Sequence, residues 1–296
     1  MLSLKSWRAL LVREYLEHRI AFLYFPLGIV VLLALSAASA LGFNKIKFMH
    51  DFAVPSGLKV FELGYLVLFA LWFAYLGVTL FFYFGDAFSA DRRNNSMFFW
   101  KSMPVTDIKM LASKFLAGVL LFPAIIVAVA AVSGLIFYLF VSVGTMVYPG
   151  LVLPLPLTAL GSFGQITLFA VVHLVLSLLW YAPFLAWVGG LSTIFGRWSL
   201  PLAFVIPGLV SVVENIAFFG YGPRGGYVWA YLSQRWQYGL GEMDYGQIAV
   251  TTAPFDALYF TQRLLHQTDW PALVLGLVFA AAVMWLASQY RRRRIN

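Results

Sequence analysis

Two ionisable side chains, His173 and Glu214, interrupt the long apolar stretches of this 296-residue sequence. An ionisable group in an apolar, membrane-type helix is costly, so it usually serves a function or is held by a hydrogen-bonding partner. We interpret both as intramembrane polar candidates, either as packing residues or as parts of an embedded site. For Glu214 the candidate partners are Asn215, Gln165, Ser162 and Arg224.

The sequence lacks the motifs of nucleotide, zinc-protease and serine-hydrolase chemistry. It contains no Gly-x-x-x-x-Gly-Lys-Ser/Thr loop, no His-Glu-x-x-His pair and no Gly-x-Ser-x-Gly turn. It has no cysteine, and its four histidines are far apart in the sequence, which argues against a metal centre. We therefore expect no catalytic residue, no metal site and no cofactor held by this chain itself.

The composition excludes an ordinary soluble enzyme, a disordered chain and a nucleic-acid-binding protein. Hydrophobic residues make up 62% of the chain and charged residues 11%, whereas soluble domains carry roughly 25% charged residues. Because so few charges cannot cover a soluble surface, we predict an integral membrane protein. The net charge of +8 then reflects basic residues gathered on the cytoplasmic side of a membrane.

Six apolar stretches predict an all-α fold with six transmembrane helices in a single domain, residues 1–296. Each is long enough to cross a bilayer core of about 30 Å, which takes about 20 helical residues. The first is retained rather than cleaved, because its apolar run is too long for a signal peptide and follows Glu14 and Glu17. The predicted spans are residues 20–43, 63–84, 115–143, 163–189, 198–219 and 271–290.

The distribution of Lys and Arg predicts the orientation. An even number of spans puts both termini on one side, and most of the 20 basic residues share that side. The exceptions are Lys45, Lys47, Lys59, Arg224, Arg235 and Arg263. Since basic residues favour the cytoplasmic side, we predict a multi-pass protein of the bacterial inner membrane with both termini in the cytoplasm.

Four segments outside the spans have a distinct character. Residues 3–18 have the spacing of an amphipathic helix, which we place on the cytoplasmic leaflet. The alternative is a solvated helical arm whose basic side chains extend toward water. Residues 144–162 carry three prolines and no charge, typical of a stiff external linker or a shallow re-entrant turn. Residues 220–270 are rich in Tyr and Trp and predict an external helical cap held against the outer leaflet.

The fourth of these segments, Gly85–Lys114, is the cytoplasmic connection between spans two and three. It contains a charged cluster, an apolar patch and a chain-breaking proline, and Thr106 can cap a helix that begins at Asp107. The pattern is typical of a short helix that docks on a partner, or of a loop whose aromatic side chains rest among lipid headgroups. The cluster is Asp86, Asp91, Arg92 and Arg93, the patch is Met97, Phe98, Phe99 and Trp100, and the proline is Pro104.

With these features the chain resembles the permease subunit of a type-2 ATP-binding-cassette exporter. The resemblance covers the order of the interfacial helix, the six spans, the basic connection and the long external segment. Its local motif is Ser102-Met103-Pro104-Val105-Thr106, followed by Ser113-Lys114, with an acidic residue, Asp86, after the second span. This sequence has Met103 where the family usually has Leu, and Asp107 where Arg is commoner.

The resemblance implies partners and a mechanism. A separate ATPase subunit, which holds ATP and Mg²⁺, would bind residues 89–101 and drive the movement of two permease chains. Six spans are half of the twelve that such transporters use, which implies a second copy of the chain or a paired permease. The apolar spans favour a lipid, an amphipathic peptide or a hydrophobic drug as cargo, and membrane lipids surround the protein. Alternative hypotheses are a scaffold or sensor subunit and a membrane-embedded lipid-modifying enzyme.

Overall fold

The computed structural model describes residues 4–42, 57–93, 106–147, 155–219, 221–223, 225–236 and 253–294. This part of the chain is helical and contains no strand. The helices are α1 Leu4–Arg19, α2 Phe25–Gly42, α3 Gly57–Arg93, α4 Asp107–Leu116, α5 Phe122–Val147, α6 Pro156–Phe195, α7 Ser199–Ala217, α8 Gly226–Trp236, α9 Ala257–Gln267 and α10 Trp270–Arg294.

Five helical stretches are long and apolar enough to cross a membrane. They are Lys5–Ser39, Gly57–Ala90, Asp107–Met146, Pro156–Ala217 and Trp270–Arg293. The chain is therefore an all-α protein with the helices of a multi-pass membrane protein, as the composition predicts. Each predicted span overlaps one of these stretches, and the spans 20–43 and 198–219 extend a few residues beyond the ends at Ser39 and Ala217.

The fourth stretch contains two helices that turn back on each other. Gly196 has a φ of 57°, a left-handed conformation that glycine adopts without steric cost, and it ends α6. Across the turn, the Trp187 indole of α6 donates to the carbonyl of Ala203 in α7 at 3.4 Å. The Ser199 hydroxyl donates to the Gly85 carbonyl at 2.8 Å, which ties the turn to α3.

The core is formed by α3 between α5 and α6. The Trp72 indole of α3 donates to Ser133 of α5 at 3.1 Å, and the Tyr65 hydroxyl lies 2.9 Å from the hydroxyl of Thr167 on α6. Gly134 lets α5 pack closely on α3, since a Cβ at this position would lie 2.1 Å from the Tyr65 ring. These contacts satisfy polar groups inside an otherwise apolar interface.

Two π-helical turns, Ile20–Tyr24 and Ala117–Leu121, lie next to each other. Each joins a short polar helix, α1 or α4, to a long apolar one, α2 or α5. Phe22 stacks on Phe122 with ring centroids 3.8 Å apart, so the two junctions form one contact. We name the region around α1, α4 and residues 196–199 the basic end, and the region where α9 meets α3 and α6 the cap end.

Helix α3 is longer at the basic end than the sequence analysis suggests. It runs without a break to Arg93, so Asp86 and the backbone of residues 91–93 belong to the helix of the second span. At the other side of the connection α4 begins at Asp107, as predicted. Thr106 therefore lies at the N-cap position, but its side chain makes no capping hydrogen bond.

Candidate functional site

A buried ion pair joins α1 to α4 at the basic end. The Lys114 ammonium lies 3.2 Å from one carboxylate oxygen of Glu14, and both side chains are 2% exposed. The Tyr83 hydroxyl of α3 lies 3.0 Å from the other Glu14 oxygen and 3.0 Å from the Lys114 carbonyl. Three helices are thus joined through one charge pair, and removing either charge would leave the other buried.

Aromatic rings surround this pair on the side of the π-helical turns. The His18 ring meets Tyr83 edge-on at 4.9 Å, and Phe122 lies 5.1 Å from Tyr83 between ring centroids. With Phe22 stacked on Phe122, these rings form one aromatic cluster beside the ion pair. The two charged side chains are themselves buried, and charge interactions are stronger in such surroundings.

A second contact fixes α1 along α4. The Lys109 ammonium donates to the Ser6 hydroxyl and lies 5.5 Å from the centroid of the Trp7 indole, within cation–π range. Lys109 is 5% exposed although it belongs to the predicted cytoplasmic connection. The predicted interfacial helix is therefore attached to α4 at two points, through Lys109 near the start of each helix and through Lys114 near the end of each helix.

The predicted ATPase-coupling residues are only partly brought together by the described residues. Lys114 lies in the buried pair, and Asp86 lies one turn of α3 from Tyr83, half-buried, with its carbonyl accepting from Ser89 at 3.0 Å. Asp91, Arg92 and Arg93 form the last turn of α3, and nothing is described of their side chains. The patch Met97, Phe98, Phe99 and Trp100, together with Pro104, lies outside the described residues.

At the cap end, Glu62 is a buried anchor that sequence reasoning missed. Its carboxylate lies 2.7 Å from the Lys59 ammonium and accepts from the Ser162 hydroxyl at 2.5 Å and the backbone N–H of Phe255 at 2.9 Å. Glu62 and Lys59 are 0% and 1% exposed. The carboxylate therefore joins α3, α6 and the segment that leads into α9. The available signal was a Lys and a Glu three residues apart, just before an apolar stretch.

Glu214 is the anchor of α8. Its carboxylate accepts from the backbone N–H of Val228 at 2.9 Å, and the neighbouring Asn215 accepts from Gly225 at 3.3 Å. Gly225 and Gly226 have φ values of 90° and 86°, and a Cβ at Gly226 would lie 2.8 Å from the Glu214 carboxylate. Only glycine permits this close approach of the chain.

The other candidate partners of Glu214 bind elsewhere. Gln165 accepts from the backbone N–H of Ala257 at 3.0 Å, and Ser162 donates to Glu62. Arg224 lies outside the described residues. Gln165 and Ser162 therefore position α9, while Glu214 and Asn215 position α8.

His173 and Glu214 are not brought together in the described part of the chain. The His173 ring lies among aromatic rings, 6.3 Å from Phe73 and 5.9 Å from Phe169 between centroids. This is the packing role that the sequence allowed for it. Among the described residues, the contacts of His173 and those of Glu214 have no residue in common.

Arg235 of α8 is a second buried group that the sequence analysis did not single out. It is 1% exposed, and its guanidinium donates to the backbone carbonyls of Trp180 and Ala272. It lies 4.6 Å from the Trp180 ring centroid and 5.0 Å from that of Tyr231. Within the described ranges no carboxylate pairs with it, so carbonyl dipoles and aromatic faces stabilise its charge.

Arg235 reaches α6 and α10 from a helix that is otherwise largely exposed, since Trp229 and Trp236 of α8 are 56% and 75% exposed. Trp180 follows Gln165 by 15 residues on α6, a distance of about 22 Å along a helix. Because Gln165 binds the start of α9 and Trp180 binds Arg235, the helices of the predicted cap contact α6 at two levels.

One group of side chains has the composition of a metal site. Glu14, Glu17 and His18 offer ligand atoms within 4.8 Å of one another. Each carboxylate already has a cation, since Lys114 binds Glu14 and Arg13 lies 3.6 Å from Glu17. The local charge is therefore balanced by the protein.

Comparison with protein-family models, with curated proteins and with solved structures finds no match for this chain. The site geometry and the sequence features are the observations on which a function can be proposed.

Proposed function

We propose that this chain is the permease subunit of a type-2 ATP-binding-cassette exporter, driven by a separate ATPase subunit that holds ATP and Mg²⁺. The observation that carries the proposal is the buried connection of Glu14, Lys114 and Tyr83. The resemblance places the ATPase contact on residues 89–101, a segment that begins in the last turns of α3 and is followed along the chain by α4. A force on that segment reaches the ion pair within about two to three helical turns on either side.

The same buried contacts would transmit ATPase closure to the apolar helices that follow α1 and α4. Glu14 belongs to α1, and the π-helical turn Ile20–Tyr24 joins α1 to α2. Phe22 and Phe122 link that turn to the one that begins α5. In the proposed transporter, ATPase closure therefore moves α1 and α4 as a unit, and the apolar helices α2, α3 and α5 follow.

The proposal counts six spans and puts both termini in the cytoplasm of a bacterium. It treats α6 and α7 as separate crossings on either side of the turn at Gly196. Cytoplasmic reporters are expected to be active when fused after Lys109 or Asn296, and periplasmic reporters after Lys47 or Tyr245. A cytoplasmic signal after Tyr245 would contradict the span count, because the five crossings proposed before that residue place it in the periplasm.

Two copies of the chain, or this chain with a paired permease, would complete the transporter. Their apolar helices suit a lipid, an amphipathic peptide or a hydrophobic drug as cargo, since no charged lining for an ion path is evident in the spans. The cap helices α8 and α9 would close the outer side of the path. Their anchors, Glu62, Glu214 and Arg235, then determine how firmly that side is closed.

The experiment is affinity purification of the tagged full chain from its native membranes, followed by identification of ATPase subunits that remain bound. We expect an ATP-binding-cassette ATPase with the wild type. Phe98→Ala with Phe99→Ala should release it, since truncation of buried hydrophobic anchors costs about 2 kcal/mol or more each.

The matched control changes a second phenylalanine pair, Phe218 and Phe219, which are 50% and 81% exposed at the end of α7. Phe218→Ala with Phe219→Ala should retain the ATPase. Absence of any ATPase with the wild type would refute the proposal. Retention of the ATPase by the Phe98/Phe99 variant at normal membrane levels would show that this segment is not the contact.

A further inference from the structure

A groove on the outer side of α1 combines an apolar lining with an exposed arginine. It encloses about 440 Å³ and is lined by Trp7, Arg8, Leu11, Val12, Tyr15 and, from the second π-helical turn, Leu121. This volume lies within the range of about 300–1,000 Å³ that ligand sites occupy. Because π-helical turns displace side chains from regular helical positions, the turn Ala117–Leu121 contributes to the shape of the groove.

Helix α1 separates its charges between two sides. The acidic residues Glu14 and Glu17 are engaged by Lys114 and Arg13. At 3.6 residues per turn, Lys5, Arg8 and Arg19 fall within about 60° of one another, on the side away from Glu14. The described residues give Lys5 and Arg8 no acidic partner, so the groove side of α1 carries uncompensated positive charge.

An exposed apolar ridge continues from the groove toward the first apolar helix. Val12, Leu16 and Ile20 follow one another at four-residue spacing and are 47%, 53% and 69% exposed. Leu120 on the neighbouring π-helical turn is 63% exposed. Cations at one end of an apolar track match an anionic headgroup followed by an acyl chain, the arrangement of a phospholipid at a membrane surface.

We propose that this groove binds an anionic phospholipid, with the headgroup phosphate at Lys5 and Arg8 and an acyl chain along Val12, Leu16 and Ile20. The inference does not depend on the proposed transport function, because it concerns only how α1 is held at the membrane. A zwitterionic lipid of the same chain length offers the same apolar contacts without the net charge. Selectivity for the anionic headgroup is therefore the property to measure.

The test is native mass spectrometry of the full chain in detergent, titrated with dioleoylphosphatidylglycerol or dioleoylphosphatidylcholine. We expect the wild type to retain phosphatidylglycerol at least fivefold more tightly. Arg8→Gln should lose about fivefold in affinity for it, equivalent to the roughly 1 kcal/mol contributed by one basic residue near an anionic headgroup. Val12→Trp, at a half-exposed position, should fill the groove and weaken both lipids.

The control is Arg197→Gln, which removes a single exposed arginine at the turn after α6, outside the groove, and should leave both affinities unchanged. Equal retention of the two lipids by the wild type would overturn the proposal, and so would equal affinities in Arg8→Gln and Arg197→Gln. If Val12→Trp abolishes a dimer and leaves lipid retention unchanged, the groove holds a second copy of the chain and the proposal is wrong.

Discussion

Replacing Lys114 with methionine removes the cation of the buried pair at the basic end and keeps a long side chain. Glu14 is 1% exposed, and its described partners are the Lys114 ammonium at 3.2 Å and the Tyr83 hydroxyl at 3.0 Å. The variant therefore leaves a buried carboxylate with one neutral donor. Breaking a buried pair in this way typically costs about 3–5 kcal/mol in the free energy of unfolding.

The measurement is thermal unfolding of the purified full chain in detergent. At roughly 2–4 °C per kcal/mol for chains of 150–250 residues, we expect Tm to fall by about 6–20 °C. The control is Arg13→Met in α1, the helix that carries Glu14. Arg13 and Glu17 are 3.6 Å apart with side chains 30% and 33% exposed, so that change should cost only about 0.5 kcal/mol.

A double variant separates loss of charge balance from loss of packing. Glu14→Gln combined with Lys114→Met removes both buried charges, so it should recover a large part of the stability that Lys114→Met loses. If Lys114→Met unfolds within 2 °C or so of Arg13→Met, the pair is not buried as described. The link between α1 and α4 would then contribute nothing to coupling.

Three further predictions concern the cap end, each measured as Tm of the full chain. Glu62→Gln leaves the Lys59 ammonium beside a neutral amide and should cost about 3 kcal/mol. Glu214→Gln keeps an oxygen that accepts from Val228 and should stay near wild type, whereas Glu214→Leu should lose about 1 kcal/mol because a partly buried N–H loses its acceptor. Arg235→Lys loses the planar guanidinium that binds two carbonyls and stacks on aromatic rings, and should cost about 2 kcal/mol. An unchanged Tm for the Glu62 or the Arg235 variant would contradict the anchoring role of that residue.

The sequence predicts the helical class and most helix positions because apolar length is a local property. Each predicted span overlaps one of the helical stretches, and Asp107 begins α4 as expected. Residues 86–93 are predicted to belong to the connection after the second span, because four of them are charged. In the structure α3 continues through them, because a helix that already extends over many turns gains a hydrogen bond with each added residue.

The buried polar contacts could not be predicted, because their partners are distant in the sequence. Glu14 and Lys114 are 100 residues apart, and Glu62 binds Phe255 across 193 residues. The composition shows only that such charges lie near apolar stretches. His173 and Glu214 were identifiable because they interrupt those stretches, yet their packing and anchoring roles depend on neighbours that only the fold brings together.

The most direct test of the proposed function is ATP hydrolysis by the ATPase subunit in lipid vesicles, with and without this chain. Coupling predicts that wild-type chain changes the hydrolysis rate several-fold, that Phe98→Ala with Phe99→Ala abolishes the change, and that Phe218→Ala with Phe219→Ala preserves it. A hydrolysis rate that is the same without the chain, with the wild type and with both variants would contradict the account, because the chain would then take no part in an ATP-driven cycle.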